Sequence, residues 1–179
     1  MKKTLLTLIS ISLLFSCSND KKKVEGLVFS NDFESSLGWA ENNTITTGEG
    51  HSGKVVSKTT PESQYSYTFH RLLKDISPKR IKRAQFSAWV SLSSANSKGS
   101  LVLSIDSVGG EKSILWNGVD TKNFVTSPNK WTQIKGTVNF PANISPASEL
   151  KFYFWNTGKD AILVDDVECT RPTIEVRLV

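Results

Sequence analysis

The chain has 179 residues, with 22 basic and 17 acidic side chains, a formal net charge of +5, five Trp, nine Phe and two Cys. That length suits one domain with one core and is too short for two comfortable ones. The basic excess is mild; apart from Lys2-Lys3 and Lys21 to Lys23 near the start, only Lys79-Arg80 and Lys82-Arg83 cluster, as in a solvated loop, and with no nucleic-acid motif beside them RNA and DNA are excluded as partners.

The first element is a leader, residues 1–16. Lys2 and Lys3 precede an apolar run from Leu5 to Phe15 broken only by Thr7, Ser10 and Ser12, which is the pattern of an export signal. As a helix that run reaches about 16 Å against about 30 Å of hydrocarbon, so it cannot span a membrane. Leu14-Phe15-Ser16-Cys17 resembles the lipobox of bacterial lipoproteins. The resemblance implies that Cys17 carries diacylglycerol and begins the mature chain, anchored in the bacterial cell envelope. Ser18-Asn19 carries no clear inner-membrane retention signal, which favours the outer membrane. Residues 17–26 are dominated by Ser, Asn, Asp, Lys and Glu, cannot bury a face, and read as a flexible tether whose Lys21, Lys22 and Lys23 suit water or anionic head groups. With Cys17 acylated, Cys169 is the one remaining thiol, so no intrachain disulfide forms and Cys169 reads as a small buried hydrophobe.

The domain is expected over 27–171, followed by a short tail, 172–179. Apolar residues recur at every second position in runs separated by Gly, Pro, Asn and Ser, and no convincing helix appears. Strands are predicted over Tyr65 to Leu72, Gln85 to Leu92, Leu101 to Asp106, Trp131 to Phe140, Leu150 to Trp155 and Ala161 to Cys169. Six to eight such strands predict an all-β fold, a β-sandwich or jelly roll.

The two sides of these runs differ in kind. One is aliphatic and Phe-rich, as an inter-sheet core should be. The other carries Trp89, Asp106, Lys151, Tyr153 and Trp155, large amphipathic rings mixed with charges. If they share one surface they suit a glycan: a sugar ring offers an apolar C–H face to an indole and a rim of hydroxyls to Asp, Lys or Tyr. Trp116, in the irregular stretch Leu115-Trp116-Asn117-Gly118, is expected on a binding loop.

In order, Asn31-Asp32-Phe33-Glu34, Gly38-Trp39, Gly50-His51-Ser52-Gly53-Lys54, Phe86-Ser87-Ala88-Trp89-Val90, Trp131-Thr132-Gln133-Ile134 and Ile162-Leu163-Val164-Asp165-Asp166-Val167 resemble carbohydrate-binding modules of families 4, 9 and 22. The resemblance implies a galactose-binding-like jelly roll that binds a polysaccharide or oligosaccharide without catalysis. It also implies a structural calcium held by the carboxylates of Glu34 and Asp165 and by main-chain oxygens near Asp32, His51 and Lys54, in keeping with the oxygen preference of that ion. His51 stands where some relatives have a carboxylate. Strand parity predicts that only one of Asp165 and Asp166 meets Glu34, the other facing solvent.

No carboxylate pair suited to glycoside hydrolysis can be singled out, and nucleophile elbow, Cys-His, zinc and phosphate-loop motifs are missing from the sequence, so a non-enzymatic role is expected. Two rivals stand beside glycan binding: a protein-interaction module of an envelope assembly using the same aromatics, and a polysaccharide lyase using Tyr67, His70 and Arg71.

Overall fold

Period-two alternation builds ten strands among the described residues of the computed structural model, which are 26–35, 39 and 44–172. They are β1 (Leu27–Asn31), β2 (Ile45–Thr47), β3 (Val55–Thr59), β4 (Phe69–Leu72), β5 (Arg83–Leu92), β6 (Gly99–Asp106), β7 (Ser113–Asp120), β8 (Thr132–Asn139), β9 (Glu149–Asn156) and β10 (Ile162–Thr170). Among the described residues helix is confined to the single turn α1 (Leu73–Ile76) and two 3-10 turns, Val108–Gly110 and Thr121–Asn123. No described helix is long and apolar enough to cross a membrane. The lipobox, Cys17 and both chain ends lie outside the described residues.

The strands form two antiparallel sheets. In the six-stranded sheet the order is β2-β3-β10-β5-β8, and β1 also pairs with β10. β3 takes the first part of one β10 edge, at Ile162 to Val164, and β1 takes the rest, from Val167 to Thr170. The four-stranded sheet runs β4-β9-β6-β7. Between the sheets lie Phe86, Ala88, Val90 and Leu92 of β5, Leu101, Leu103 and Ile105 of β6, Leu150, Phe152 and Phe154 of β9, and Ile162 and Val164 of β10, all buried. Each large side chain there contributes about 1.5–3 kcal/mol by leaving water. The all-β sandwich expected from the alternation is the fold observed.

Three details differ from the sequence expectation. First, β1, β2, β3 and β7 are strands that periodicity did not separate from loops. β7 holds Trp116 in regular pairing, with Trp116 opposite Ser104 of β6, so this residue stands on a sheet and not on a loop. Asn117 and Gly118 disguise the alternation because neither reads as an inward or outward apolar position.

Second, Asp165 and Asp166 do not point to opposite faces. β10 slips by one residue against β5 between Asp165 and Glu168, and Asp166 adopts a φ of 43°. This β-bulge resets the inward phase from Ile162 and Val164 to Val167 and Cys169, and it frees the backbone to send both carboxylates to one loop. Third, the lyase trio is split: Tyr67 is buried in the core, whereas His70 projects from the outer face of β4. Cys169 is buried as expected, and burial pushes its thiol up to about 12.

Candidate functional site

The outer face of the four-stranded sheet gathers five of the six predicted binding residues. Residues directly opposite in an antiparallel pair share a face, and the register sets Trp155 against Ser100, Tyr153 against Val102, Lys151 against Ser104, and Ser104 in turn against Trp116. Asp106 lies opposite Glu149 at the end of the same row. Small residues of β6 therefore form the floor, with rings on β9 and β7 to either side. Along β6 the step from Ser100 to Ser104 is about 13 Å and two strand spacings add about 10 Å across, so the Trp155 and Trp116 Cα atoms stand on the order of 16 Å apart on an oblique line over Val102, with Tyr153 beside it on β9.

Trp116 is the most open ring of that line, at 52% exposure. A Cβ on Gly118 would fall 2.3 Å from its Cη2, so the indole lies over the glycine backbone, held down with one face to solvent. At the other end Tyr65 bridges to Trp155 and stacks on it, ring centroids 6.3 Å apart and nearly parallel, while meeting Tyr153 edge-on at 5.5 Å. Tyr65 is 50% exposed. The Trp155 indole Nε1 is buried without a hydrogen-bond partner. Burial raises the Tyr153 phenol above its ordinary value, against hydrogen bonds from Trp116 and Ser104 that pull it down.

The charges on this face are paired. Lys151 Nζ donates to Asp106 Oδ2 at 2.8 Å, and that bond outweighs burial to hold the ammonium above its usual value. His70 Nε2 lies 3.0 Å from Glu149 Oε2. Sequence reasoning missed Tyr65 and Glu149 as part of the surface. Alternation carried no signal for Tyr65, since Tyr65 and Tyr67 share a parity and yet Tyr67 is buried while Tyr65 is exposed opposite Trp155.

Trp89 does not belong to this face. It lies on β5, in the other sheet, and its side chain covers the opposite side of the molecule from Trp155. The expectation of one shared surface fails for this residue because period two distinguishes in from out but not one sheet from the other. Trp89 is half-buried beneath the His51 ring, 3.7 Å between centroids and 12° from parallel.

That ring belongs to a loop holding the residues expected to bind calcium. Asp165, fully buried, accepts from the backbone N–H groups of His51 at 2.8 Å and Ser52 at 3.1 Å through Oδ2, and from Asp166 through Oδ1. Asp166 accepts from Ser52 Oγ at 2.7 Å and meets His51 Nδ1 at 2.5 Å. Glu34 Oε1 accepts from the N–H groups of Lys54 and Val55 at 2.6 and 2.7 Å. Lys54 O in turn accepts from Gly48 N. Asp32 lies by Asn31, Asp166 and Glu168 on the wall of a neighbouring pocket. The carboxylates are oxygen donors of the chemistry that calcium prefers, and here they close on N–H groups. Among the described residues no three His, Cys, Asp or Glu side chains gather as a ready cation cage.

Comparison with known proteins places this geometry in context. The family model described as "Carbohydrate binding domain" matches residues 25–161. No curated protein matches the sequence. The fold is similar to the CBM22-2 xylan-binding domain of Paenibacillus barcinonensis Xyn10C, with 16% identity and a TM-score of 0.59 over 81% of this chain and 99% of that one. It is also similar to the CBM22-1 xylan-binding domain of the same protein, at 16% identity and TM-score 0.53 over 80% and 93%. The CBM22-1–GH10 modules of Clostridium thermocellum Xyn10B, solved with xylohexaose, give 15% identity and TM-score 0.59 over 83% of this chain and 29% of that one.

Proposed function

The chain belongs to the carbohydrate binding domain family, and from that premise we propose that the outer face of its four-stranded sheet binds a polysaccharide without catalysis. The single observation that carries this reading is the oblique row of rings, Tyr65 and Trp155, Tyr153, then Trp116, over a floor of Ser100, Val102 and Ser104. Sugar C–H faces stack on the open rings, at roughly 0.5–1.5 kcal/mol each beyond area burial. Hydroxyls meet the Tyr153 phenol and the Lys151–Asp106 pair. The row is longer than one sugar ring, so an oligosaccharide within a chain fits it better than a chain end. Xylan is the first ligand to test, because the named neighbours of this fold are xylan-binding domains.

A glycan array probed with the full chain tests the reading. Hits lost on Trp116→Ala support it; a blank array with a co-purifying envelope protein would move the same rings to the protein-interaction alternative.

Anchoring through Cys17 in the envelope, with the outer membrane favoured, belongs to the same reading and rests on the lipobox resemblance. Radiolabelled palmitate should enter the wild type and not Cys17→Ala. A structural calcium belongs to it too: Glu34 and Asp165 would supply the carboxylates, and the cation would fix the loop from His51 to Lys54 against β10. Added calcium should raise the melting temperature and a chelator should reverse the gain; an unchanged melting temperature in both removes the ion from the account.

A further inference from the structure

The tether-side pole of the sandwich has a chemistry that glycan binding does not use. Gly26, where the described chain starts, and Arg171, near its end, are joined there by the bond from Arg171 N to Gly26 O at 2.7 Å. Beside them α1 and the turns at Pro78 and Pro141 enclose an apolar groove of about 300 Å³, with Ile81, Phe140, Ile144 and Pro146 in its walls. The Arg171 guanidinium reaches Ser77 Oγ on the groove's lining at 3.4 Å, which ties the chain's exit to this spot. The rim is cationic. Lys74, Lys79, Arg80, Lys82 and Arg83 are all exposed, and none forms an ion pair with a described acidic residue, Asp75 being the one acid among them.

We infer that this pole is a docking surface for an anionic lipid bilayer. An apolar groove ringed by unpaired Lys and Arg matches the head-group boundary, where charge attraction and shallow apolar burial act together. The 25 residues that precede Gly26, with Lys21, Lys22 and Lys23 among them, feed into the same pole. The inference deepens the anchored reading, since a single tether leaves a domain free to tumble while a cationic end beside it sets which side faces the bilayer. The ring-bearing face runs along the flank of the sandwich, so docking at the pole leaves it open to a glycan.

The test uses full chains carrying Cys17→Ala, so that no acyl group contributes, sedimented with vesicles of phosphatidylglycerol mixed with phosphatidylcholine or of phosphatidylcholine alone. The leader is common to every chain compared and cancels. Expected is a preference for the anionic vesicles that fades in high salt. Lys79→Glu/Arg80→Glu should weaken the anionic partition by about tenfold, whereas Lys58→Glu/Lys135→Glu, the same charge change away from the pole on β3 and β8, should change it less than about twofold. The milder pair Lys74→Gln/Lys82→Gln, which cannot be dismissed as misfolding if circular dichroism is unchanged, should move it the same way by about threefold. Equal losses at both sites, equal binding to both vesicles, or retention on polyglutamate in place of anionic vesicles overturns the inference. Palmitate failing to label Cys17 would remove the anchor while leaving the vesicle result to stand on its own.

Discussion

At the scale of single residues, the position of Trp116 depends on an atom that is missing. Gly118 has no Cβ, and one placed there would collide with the indole at 2.3 Å, so Gly118→Ala must lift or turn the ring. Trp116 is a half-exposed side chain with room to move, and nothing in the core feels the change. The expected outcome is a melting temperature within about 2 °C of wild type, a shift typical of a surface substitution, with glycan affinity lowered nearly as far as in Trp116→Ala. Loss of one stacking ring is worth on the order of 1 kcal/mol, or roughly fivefold in Kd. Isothermal titration of both variants checks this; a Gly118→Ala chain that binds at full strength would show that the flat pose of the indole is irrelevant. Trp89→Ala, by contrast, should leave glycan affinity unchanged and lower stability, because its ring stacks on His51 on the sheet opposite the ring-bearing face.

The loop from Gly48 to Lys54 shows the same dependence at the scale of an element. Gly53 has a φ of 61°, and a Cβ there would stand 2.2 Å from Glu34 Oε1. Gly53→Ala adds left-handed strain and pushes away the carboxylate that receives Lys54 and Val55, for a cost of about 1–3 kcal/mol and a melting temperature roughly 3–10 °C lower. Asp165 gives a prediction with a sign. Burial raises its carboxyl above 3.8, opposed by hydrogen bonds from the backbones of Ser52, Asp166 and His51. The folded state therefore holds that proton more tightly than the unfolded chain, so this group's stabilising share is complete in acid below 3.8 and is lost as pH rises through the raised folded value. Measured by denaturant titration, the margin of wild type over Asp165→Asn should shrink from acid toward neutrality; a margin that grows would mean that the N–H bonds overcome the burial.

This loop also marks where the sequence stops being legible. Alternation in β5, β6 and β9 was plain because each buries one complete face, and it placed Tyr153, Trp155, Lys151 and Asp106 on the correct side of their sheet. It could not say which sheet a strand joins, which is why Trp89 was grouped with Trp155. It could not reveal the bulge either: Asp165-Asp166 reads as two alternating positions until a positive φ at Asp166 brings both carboxylates to His51 and Ser52. β7 stayed hidden because Gly118, chosen by the space under a ring on its own strand, has no polarity to register.

For the whole molecule, the arrangement of the row decides how affinity should scale with ligand length. Tyr65 and Trp155 stand at one end of the ring-bearing face and Trp116 at the other, on the order of 16 Å apart by register and strand spacing. A short sugar can occupy one end at a time, while a longer chain engages both without a second loss of translational freedom, so its gain exceeds that of either end alone. Affinity should therefore climb from disaccharide to hexasaccharide in a series of one linkage type and then level off once the row is spanned. Removing Trp116 should flatten the climb more than it weakens the shortest ligand, since the short ligand can still use Tyr65 and Trp155. Tyr65→Ala should do the same from the opposite end, and the double variant should abolish the climb, leaving all lengths at one affinity below that of the shortest ligand for wild type. A series in which each variant weakens every length by one common factor would locate the ligand at a single point of the face, and the oblique row would then be packing that the sugar never spans.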